Sequence, residues 1–308
     1  MTDLSAVFLG TSDFSVPLLR ALHDAPSIRV SAVISMPDRP AGRGRKLSRP
    51  PAARYACSLG ISLYQPEKLN EIALEIRSLA PSVMVSASFG AWLPRWFLEI
   101  PPLGVVNVHP SLLPRHRGAS PVVSTILEGD LETGVSFMIT DSGWDTGDLV
   151  GTLRTPVLQG ETAGELEARL AEMAARELPE VLLSYSAGML KPVPQNGEAT
   201  YAPKVSPGAA VIDWNASSRH VERLVMAYSP VPGARTMFRG NILKVFRAVS
   251  APGDHPPGIV ASVEPLVVGC GSGALMLQEV QPAGKRRMDA GEFVRGWRLT
   301  PGEQIEGS

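Results

Sequence analysis

The sequence predicts an α/β fold with an open, mostly parallel sheet, followed by a smaller β-rich module. Three observations support this. Short apolar runs rich in β-branched residues alternate with helix-like stretches over residues 1–190. Residues 191–207 are rich in Pro, Gly and short polar residues, which is typical of a linker. Beyond them, short alternating runs are separated by glycines and prolines.

The first part contains six candidate strands, which end in glycine, small residues or polar turns. They are residues 5–10, 29–35, 82–87, 104–109, 133–139 and 149–153. Candidate helices are residues 13–22, 67–79 and 163–187, with Pro179 expected to interrupt or bend the last one. Ligands of open α/β sheets bind beyond the carboxyl ends of the strands. We therefore expect the chemistry after Gly10, after Ala87 and around His109.

The last hundred residues have a different pattern, typical of a small β-barrel or β-sandwich. Its candidate helix is 218–227, and its candidate strands are 234–238, 242–246, 258–263, 266–268 and 275–280. The predicted organisation is a catalytic domain over 1–190, a linker over 191–207 and a second domain over 208–308.

Composition indicates an ordinary globular chain of 308 residues, 44% hydrophobic, with a formal net charge of −1. Its two cysteines, Cys57 and Cys270, lie far apart, which disfavours a disulfide framework and a structural zinc site. We expect two separate thiols in a reducing cytoplasm. No apolar run approaches the length of a membrane span, and no basic-then-apolar signal sequence opens the chain.

Positive charge is concentrated in one early segment, because residues 36–54 contain six basic residues and one acid, Asp38. Gly and Pro in residues 36–47 predict a protruding loop, and arginines suit contacts with phosphates and bases. A solvated loop without a ligand is the alternative.

The strongest local signal is the run from Asn107 to Pro114 (NVHPSLLP). Residues two apart on a strand point the same way, so Asn107 and His109 are expected to share one face. An amide beside an imidazole suits a carbonyl that becomes an oxyanion. In the alternative, Asn107 caps a turn and His109 is a hydrogen-bonded core histidine.

A second signal is the turn from Asp141 to Asp148 (DSGWDTGD), which follows a strand. Its three carboxylates lack the spacing of a calcium loop, so a metal site is disfavoured. A carboxylate that orients His109 is preferred over a solvated acidic turn. Spacing alone does not select among Asp141, Asp145 and Asp148. Residues 10–13 (GTSD) match neither a dinucleotide fingerprint nor a Walker loop.

Taken together, these segments resemble the methionyl-tRNA formyltransferase family of the folate-dependent formyltransferase superfamily. The resemblance covers nearly the whole chain. Its motifs are FLGTSDF at 8–14, the loop 37–46, the run 107–118, DTGD at 145–148, IDW at 212–214, the stretch 221–233 and QPAGK at 281–285. The Asn-x-His and Ser-Leu-Leu-Pro elements are shared across the superfamily. The basic loop and the second module favour a tRNA acceptor.

The resemblance implies a Rossmann-like formyltransferase domain and an OB-like barrel. It implies 10-formyltetrahydrofolate as formyl donor, no metal, initiator methionyl-tRNA as acceptor, and a monomer. By motif position, the catalytic residues would be Asn107, His109 and Asp145. The folate-binding residues would be Phe89, Gly90, Ser111, Leu112, Leu113 and Pro114. The tRNA-binding residues would be Arg39, Arg43, Arg45, Lys46 and Lys204.

The sequence departs from the family pattern at Phe89, where a tyrosine is common, and at Pro110 and His116. These changes could tune folate binding without removing a catalytic residue type. Three rival functions remain open at this point: a formyltransferase acting on an amino sugar or small metabolite, a formylfolate hydrolase, and a catalytically silent RNA-binding protein.

Overall fold

The computed structural model describes residues 3–41, 46–206 and 208–307, and these form two compact units. Unit one comprises Met1–Gly118, Thr133–Thr155 and Glu167–Tyr201. Unit two comprises Ala119–Glu132, Pro156–Leu166 and Ala202–Ser308. Within the described part of the chain, no helix is both long and apolar enough to cross a membrane.

The strands of the chain are numbered in sequence order. They are β1 (Leu4–Gly10), β2 (Ile28–Ile34), β3 (Arg39–Ala41), β4 (Lys46–Ser48), β5 (Leu63–Tyr64), β6 (Val83–Ala87), β7 (Val105–His109), β8 (Arg117–Gly118), β9 (Glu132–Ile139), β10 (Leu149–Pro156), β11 (Tyr201–Ala202), β12 (Ala234–Phe238), β13 (Asn241–Ala251), β14 (Val260–Val263), β15 (Leu266–Gly269), β16 (Ala274–Pro282) and β17 (Met288–Asp289).

The helices are numbered in the same way. They are α1 (Ser15–Asp24), α2 (Pro51–Ser58), α3 (Ala73–Ser78), α4 (Arg95–Leu98), α5 (Pro121–Glu128), α6 (Ala163–Ser186), α7 (Ser218–Ala227) and α8 (Ala290–Trp297), with a 3-10 turn at Leu69–Ile72.

Unit one is built on a seven-stranded sheet in the order β10-β9-β7-β6-β1-β2-β5. Strand β1 pairs in parallel with β2 and β6, β6 with β7, and β2 with β5. Strand β9 runs antiparallel to β7, so the direction changes beside the strand that carries Asn107 and His109. The predicted mostly parallel α/β sheet is confirmed.

The apolar runs of the sequence become the core of this sheet. Strand β1 is buried from Ser5 to Gly10, and each large apolar side chain removed from water contributes about 1.5–3 kcal/mol. Gly10 ends the strand where a Cβ would collide with the side chains of Phe8 and Ser15. The hydroxyl of Ser15 donates to the Ala87 carbonyl at 2.6 Å, which ties the start of α1 to the end of β6.

Helix α6 continues through Pro179, so of the predicted interruption or bend, the interruption does not occur. A proline inside a helix costs about 3 kcal/mol. Burial of the apolar face of the helix offsets that cost, because Leu178 and Leu182 are almost fully buried on either side of the proline.

Unit two contains an antiparallel sheet in the order β12-β13-β16-β15-β14. The closing segment, residues 302–306, bridges its two edges. Met237 of β12 pairs with Glu306, and Ile259, just before β14, pairs with Gln304. The sheet is thereby closed as the predicted barrel requires.

Helix α8 was not predicted. It begins after Asp289, whose side chain accepts from the Gly291 N–H at 2.7 Å. Its buried residues, Ala290, Phe293 and Val294, give it an apolar face, although glycines at 291 and 296 weaken its helix propensity.

Candidate active site

His109 lies at the end of β7 with only 5% of its surface exposed, and both ring nitrogens face oxygen atoms. Nε2 is 2.9 Å from the His116 carbonyl oxygen, which assigns it as the donor of that hydrogen bond. Nδ1 is 3.8 Å from Asp145 Oδ2, beyond hydrogen-bond distance. Nδ1 is therefore the nitrogen that can still serve a reacting group.

Asp145 is the one of the three candidate carboxylates for which the structure records a contact with His109. Its Oδ2 also accepts from the Gly118 N–H at 2.7 Å, which fixes the carboxylate. Asp141 is used differently, because its Oδ1 accepts from the Gly143 N–H at 2.9 Å and the Thr146 hydroxyl at 2.7 Å. Asp141 therefore stabilises the turn that presents Asp145.

Asn107 precedes His109 by two residues on β7, so the two side chains share a face. In the sheet it lies between Ser86 of β6 and Met138 of β9. It is half-buried, and its amide makes no hydrogen bond among the described residues. An amide held on a rigid strand with free hydrogen-bonding capacity suits a ligand oxygen.

The segment Ser111 to Pro114 forms a buried turn after β7. The Ser111 hydroxyl donates to the Arg115 carbonyl at 2.6 Å, so it is used inside the turn. The Ser136 hydroxyl donates to the Ser111 carbonyl at 2.7 Å and accepts from the Leu113 N–H at 3.1 Å. The turn is therefore rigid, and within it Leu112 is half-buried whereas Ser111, Leu113 and Pro114 are buried.

Phe89 and Gly90 follow β6 on the neighbouring loop. Phe89 is buried in the core cluster, and its carbonyl accepts from the Thr11 hydroxyl at 2.6 Å. A cavity of about 450 Å³ opens beside it, lined by Met36, Phe89, Trp92 and other residues of the same edge. The exposed rings of Trp92 and Trp144 lie 5.8 Å apart and join this loop to the Asp145 turn.

Three non-glycine residues with positive φ occur in these loops: Ser88 (φ 47°), His116 (φ 58°) and Asp145 (φ 50°). Such conformations cost of order 1–3 kcal/mol each and persist where surrounding contacts hold them. Two of the three carry atoms that face His109, which places backbone strain at the candidate catalytic histidine.

Sequence reasoning missed Gln195, which lies in the predicted linker. Its Nε2 donates to the carbonyl oxygens of Asp145 at 2.8 Å and Gly147 at 2.9 Å. Its Oε1 accepts from Arg117 Nη2 at 2.6 Å and Nε at 3.1 Å. No local spacing in the sequence signals these contacts, because they join positions about 50 and 78 residues apart.

Within the basic segment, β3 and β4 pair antiparallel as a short β-ribbon, whereas the sequence predicted a loop over these two stretches. Arg39 and Lys46 lie on its two strands and are exposed, and Arg39 pairs with Glu67 at 3.2 Å. Arg43 and Arg45 lie outside the described residues. Lys204 is exposed in unit two.

Among the residues that the structure describes, no group of three His, Cys, Asp or Glu side chains could hold a metal ion. Both cysteines are free thiols: Cys57 is exposed, whereas Cys270 is buried.

Two protein families match the chain. The Formyl transferase family matches residues 4–182, and the Formyl transferase, C-terminal domain family matches residues 204–298.

Curated relatives match over nearly the full length of both chains. Methionyl-tRNA formyltransferase of Pelobacter propionicus is 40% identical, covering 100% of this chain and 98% of the relative. The enzyme of the same name from Myxococcus xanthus is 42% identical, covering 97% and 96%. That of Thermus thermophilus is also 42% identical, covering 98% and 99%.

Solved structures share the fold at much lower identity. HypX from Aquifex aeolicus superposes with a TM-score of 0.69 at 18% identity, over 98% of this chain and 49% of HypX. An N-formyltransferase from Helicobacter canadensis, solved with folinic acid and dTDP-3-aminofucose, gives 0.67 at 16% identity, over 91% and 100%.

Proposed function

We infer the activity of this chain from one premise, that it belongs to the methionyl-tRNA formyltransferase family. Identity of 40–42% over almost the whole length of several such enzymes carries the inference. The chain transfers a formyl group from 10-formyltetrahydrofolate to the amino group of methionyl initiator tRNA. The product, formylmethionyl-tRNA, serves translation initiation.

The candidate site suits this donor in two respects. First, the half-buried Asn107 amide has free hydrogen-bonding capacity for a formyl oxygen. Second, the loops that carry Phe89 and Leu112 combine apolar side chains with backbone N–H and C=O groups. 10-Formyltetrahydrofolate supplies an activated formyl group on N10. We assign Phe89, Gly90 and Ser111 to Pro114 to its binding, with the Ser111 hydroxyl shaping the turn.

The protein's part in the reaction follows from the geometry. The attacking amine must be neutral, and negative charge then develops on the formyl oxygen. Asn107 would donate to that oxygen from its amide, and His109 would donate from Nδ1, because Nε2 is occupied by the His116 carbonyl. Asp145 would orient the imidazole and, through water, accept the proton that the amine loses.

We assign tRNA contacts to the basic segment, through Arg39, Arg43, Arg45 and Lys46, and to Lys204. The exposure of Arg39, Lys46 and Lys204 and the concentration of charge in residues 36–54 support this. Cations on a protruding ribbon suit phosphates of an acceptor stem.

Replacing Arg39 and Lys46 together with alanine is expected to raise KM for tRNA and leave kcat nearly unchanged. Each lost phosphate contact should reduce the slope of log(kcat/KM) against log[salt] by about 1. Salt series on wild type and variant measure this. Arg20→Ala, which removes an exposed arginine paired with Glu172, is the matched control. An unchanged salt slope in the double variant would remove the ribbon from the tRNA interface.

We further propose that the chain acts as a monomer in the cytoplasm. The relatives are named as enzymes that act on methionyl-tRNA, which supports a role beside the translation machinery. Light scattering during size-exclusion chromatography at assay concentration tests the oligomeric state, and a mass of about twice 32.8 kDa would overturn the monomer.

The deciding experiment supplies 10-formyltetrahydrofolate with three parallel acceptors: methionyl initiator tRNA, methionyl elongator tRNA and free methionine. Formylmethionine is quantified by mass spectrometry and tetrahydrofolate by absorbance. Rapid formylation confined to initiator tRNA is expected. Tetrahydrofolate produced without formylmethionine would indicate hydrolysis, and no donor consumption would exclude the proposed reaction.

A further inference from the structure

The connecting strap, residues 193–200, lies against two loops of the candidate site within unit one. At one end, Val193 and Leu149 exchange backbone hydrogen bonds of 2.9 and 2.8 Å. At the other, Thr200 Oγ1 accepts from the His116 N–H at 2.9 Å, and the Thr200 carbonyl accepts from the Arg117 N–H at 2.9 Å. The strap therefore touches both the His116 loop and the strand that leaves the Asp145 turn.

Gln195 lies between these anchors, and all its amide groups are engaged. Both Nε2 hydrogens are directed at carbonyls of the Asp145 turn, and Oε1 receives two bonds from Arg117. The opposite amide orientation would place Oε1 against two carbonyl oxygens and Nε2 against a guanidinium. Arg117 therefore fixes the orientation in which Gln195 can hold the turn.

The bond to the Asp145 carbonyl acts on the residue whose side chain faces His109. Asp145 has a φ of 50°, which a non-glycine residue adopts only when its surroundings hold it. Gln195 also binds the carbonyl of Gly147, a position that admits only glycine, because a Cβ there would overlap the Ile139 carbonyl oxygen. The backbone on both sides of Thr146 is thus held by one side chain.

We propose that Gln195, oriented by Arg117, is a positioning residue that sets the distance and direction of the Asp145 carboxylate relative to His109. The hydrogen bonds of the Gln195 side chain are with Arg117 and with the Asp145 turn, so its proposed action on His109 runs through Asp145. Misplacement of a catalytic group by about 1 Å can cost 10²-fold in rate. Loss of the Gln195 hydrogen bonds to the Asp145 turn should therefore appear in kcat.

The test uses Gln195→Glu, which keeps the size of the side chain but replaces the donor facing two carbonyls with an acceptor. The inference rests on the proposed function for its kinetic readout. We expect kcat for methionyl-tRNA formylation to fall by about 10–100-fold, with KM for tRNA and for the folate within about threefold. Gln159→Glu is the control, because Gln159 is exposed between β10 and α6, lies in none of the shared motifs and should leave kcat unchanged.

A second measurement is independent of activity. The chain has five histidines, so the imidazole cross-peak of His109 can be assigned by its loss in His109→Asn. At fixed pH, Gln195→Glu should shift that cross-peak, whereas Gln159→Glu should not. If wild type does not formylate methionyl-tRNA, the proposed function fails while this spectrum still decides the positioning role.

A double-mutant cycle of Gln195→Ala and Arg117→Met tests whether the two residues act together on kcat or contribute to it separately. If Arg117 acts through Gln195, the double variant loses little more than either single variant. Additive losses in kcat would overturn the paired role. An unchanged kcat and an unmoved His109 cross-peak in Gln195→Glu would overturn the positioning role itself.

Discussion

His109→Ala is expected to lower kcat by about 10²–10³-fold, with a much smaller change in KM for tRNA. Removal of the imidazole takes away the proposed donor at Nδ1 and the contact with the Asp145 carboxylate. Asn107→Ala should produce a loss of the same order, because the amide is the second donor on that face of β7. Single-turnover kinetics with saturating folate measure the chemical step for both variants.

Two further variants make this result interpretable. His109→Asn preserves a donor of shorter reach and should retain more activity than alanine. His23→Ala removes an exposed histidine at the end of α1 and should behave as wild type. A turnover number in His109→Ala equal to that of wild type would refute the catalytic assignment of this residue.

Deletion of residues 302–308 is expected to unfold most of the barrel of unit two. The deletion removes the backbone bonds between Glu306 and Met237, at 2.8 and 3.1 Å, and the Ile305 N–H bond to the Gly258 carbonyl at 2.7 Å. It also removes Ile305, which is fully buried. Both edge strands of the sheet would then expose unpaired backbone groups.

A milder change to the same segment is Ile305→Ala, which removes only the buried side chain. It should reduce the free energy of unfolding by about 2–5 kcal/mol. Thermal and urea unfolding followed by circular dichroism measure it. Deletion of residues 307–308 alone is the control, because it retains the Glu306 pairing and should leave the midpoint unchanged. An intact cooperative unfolding transition after deletion of residues 302–308 would show that unit two folds without closure of its sheet by this segment.

A pH effect accompanies the closing segment. Hydrogen bonds from the Arg239 side chain hold the pKa of the Glu303 carboxyl below its usual range. A carboxyl with a lowered pKa stabilises the fold above its unfolded pKa of about 4.3, and this contribution is lost as the pH falls through the lower folded value. Because the Glu303 side chain is still 24% exposed to solvent, the effect on the unfolding midpoint should be small and salt-dependent.

Elements with strong apolar periodicity could be predicted from the sequence. Helix α7 and strand β12 have the predicted boundaries, because apolar spacing defines both. Helix α8 was missed, since its glycines hide an apolar face that only packing defines. The path of α6 through Pro179 depends on burial that no local pattern records.

The candidate site was predictable where neighbours in sequence share a strand, as Asn107 and His109 do on β7. The choice of Asp145 among three acids depends on the turn that Asp141 stabilises, and residue types alone do not determine that turn. The roles of Gly118 and Gln195 depend on long-range contacts. They lie 27 and 50 residues from Asp145 and have no motif of their own.

The strap also determines where the chain can be cut or recombined. A catalytic fragment that ends at residue 190 would lack Gln195 and Thr200, and its Asp145 turn would lose both carbonyl contacts. Fragments and chimaeras should keep residues 193–200 with the sheet of unit one and take the junction beyond residue 201. For protein engineering, residues 193–200 therefore belong to the catalytic domain.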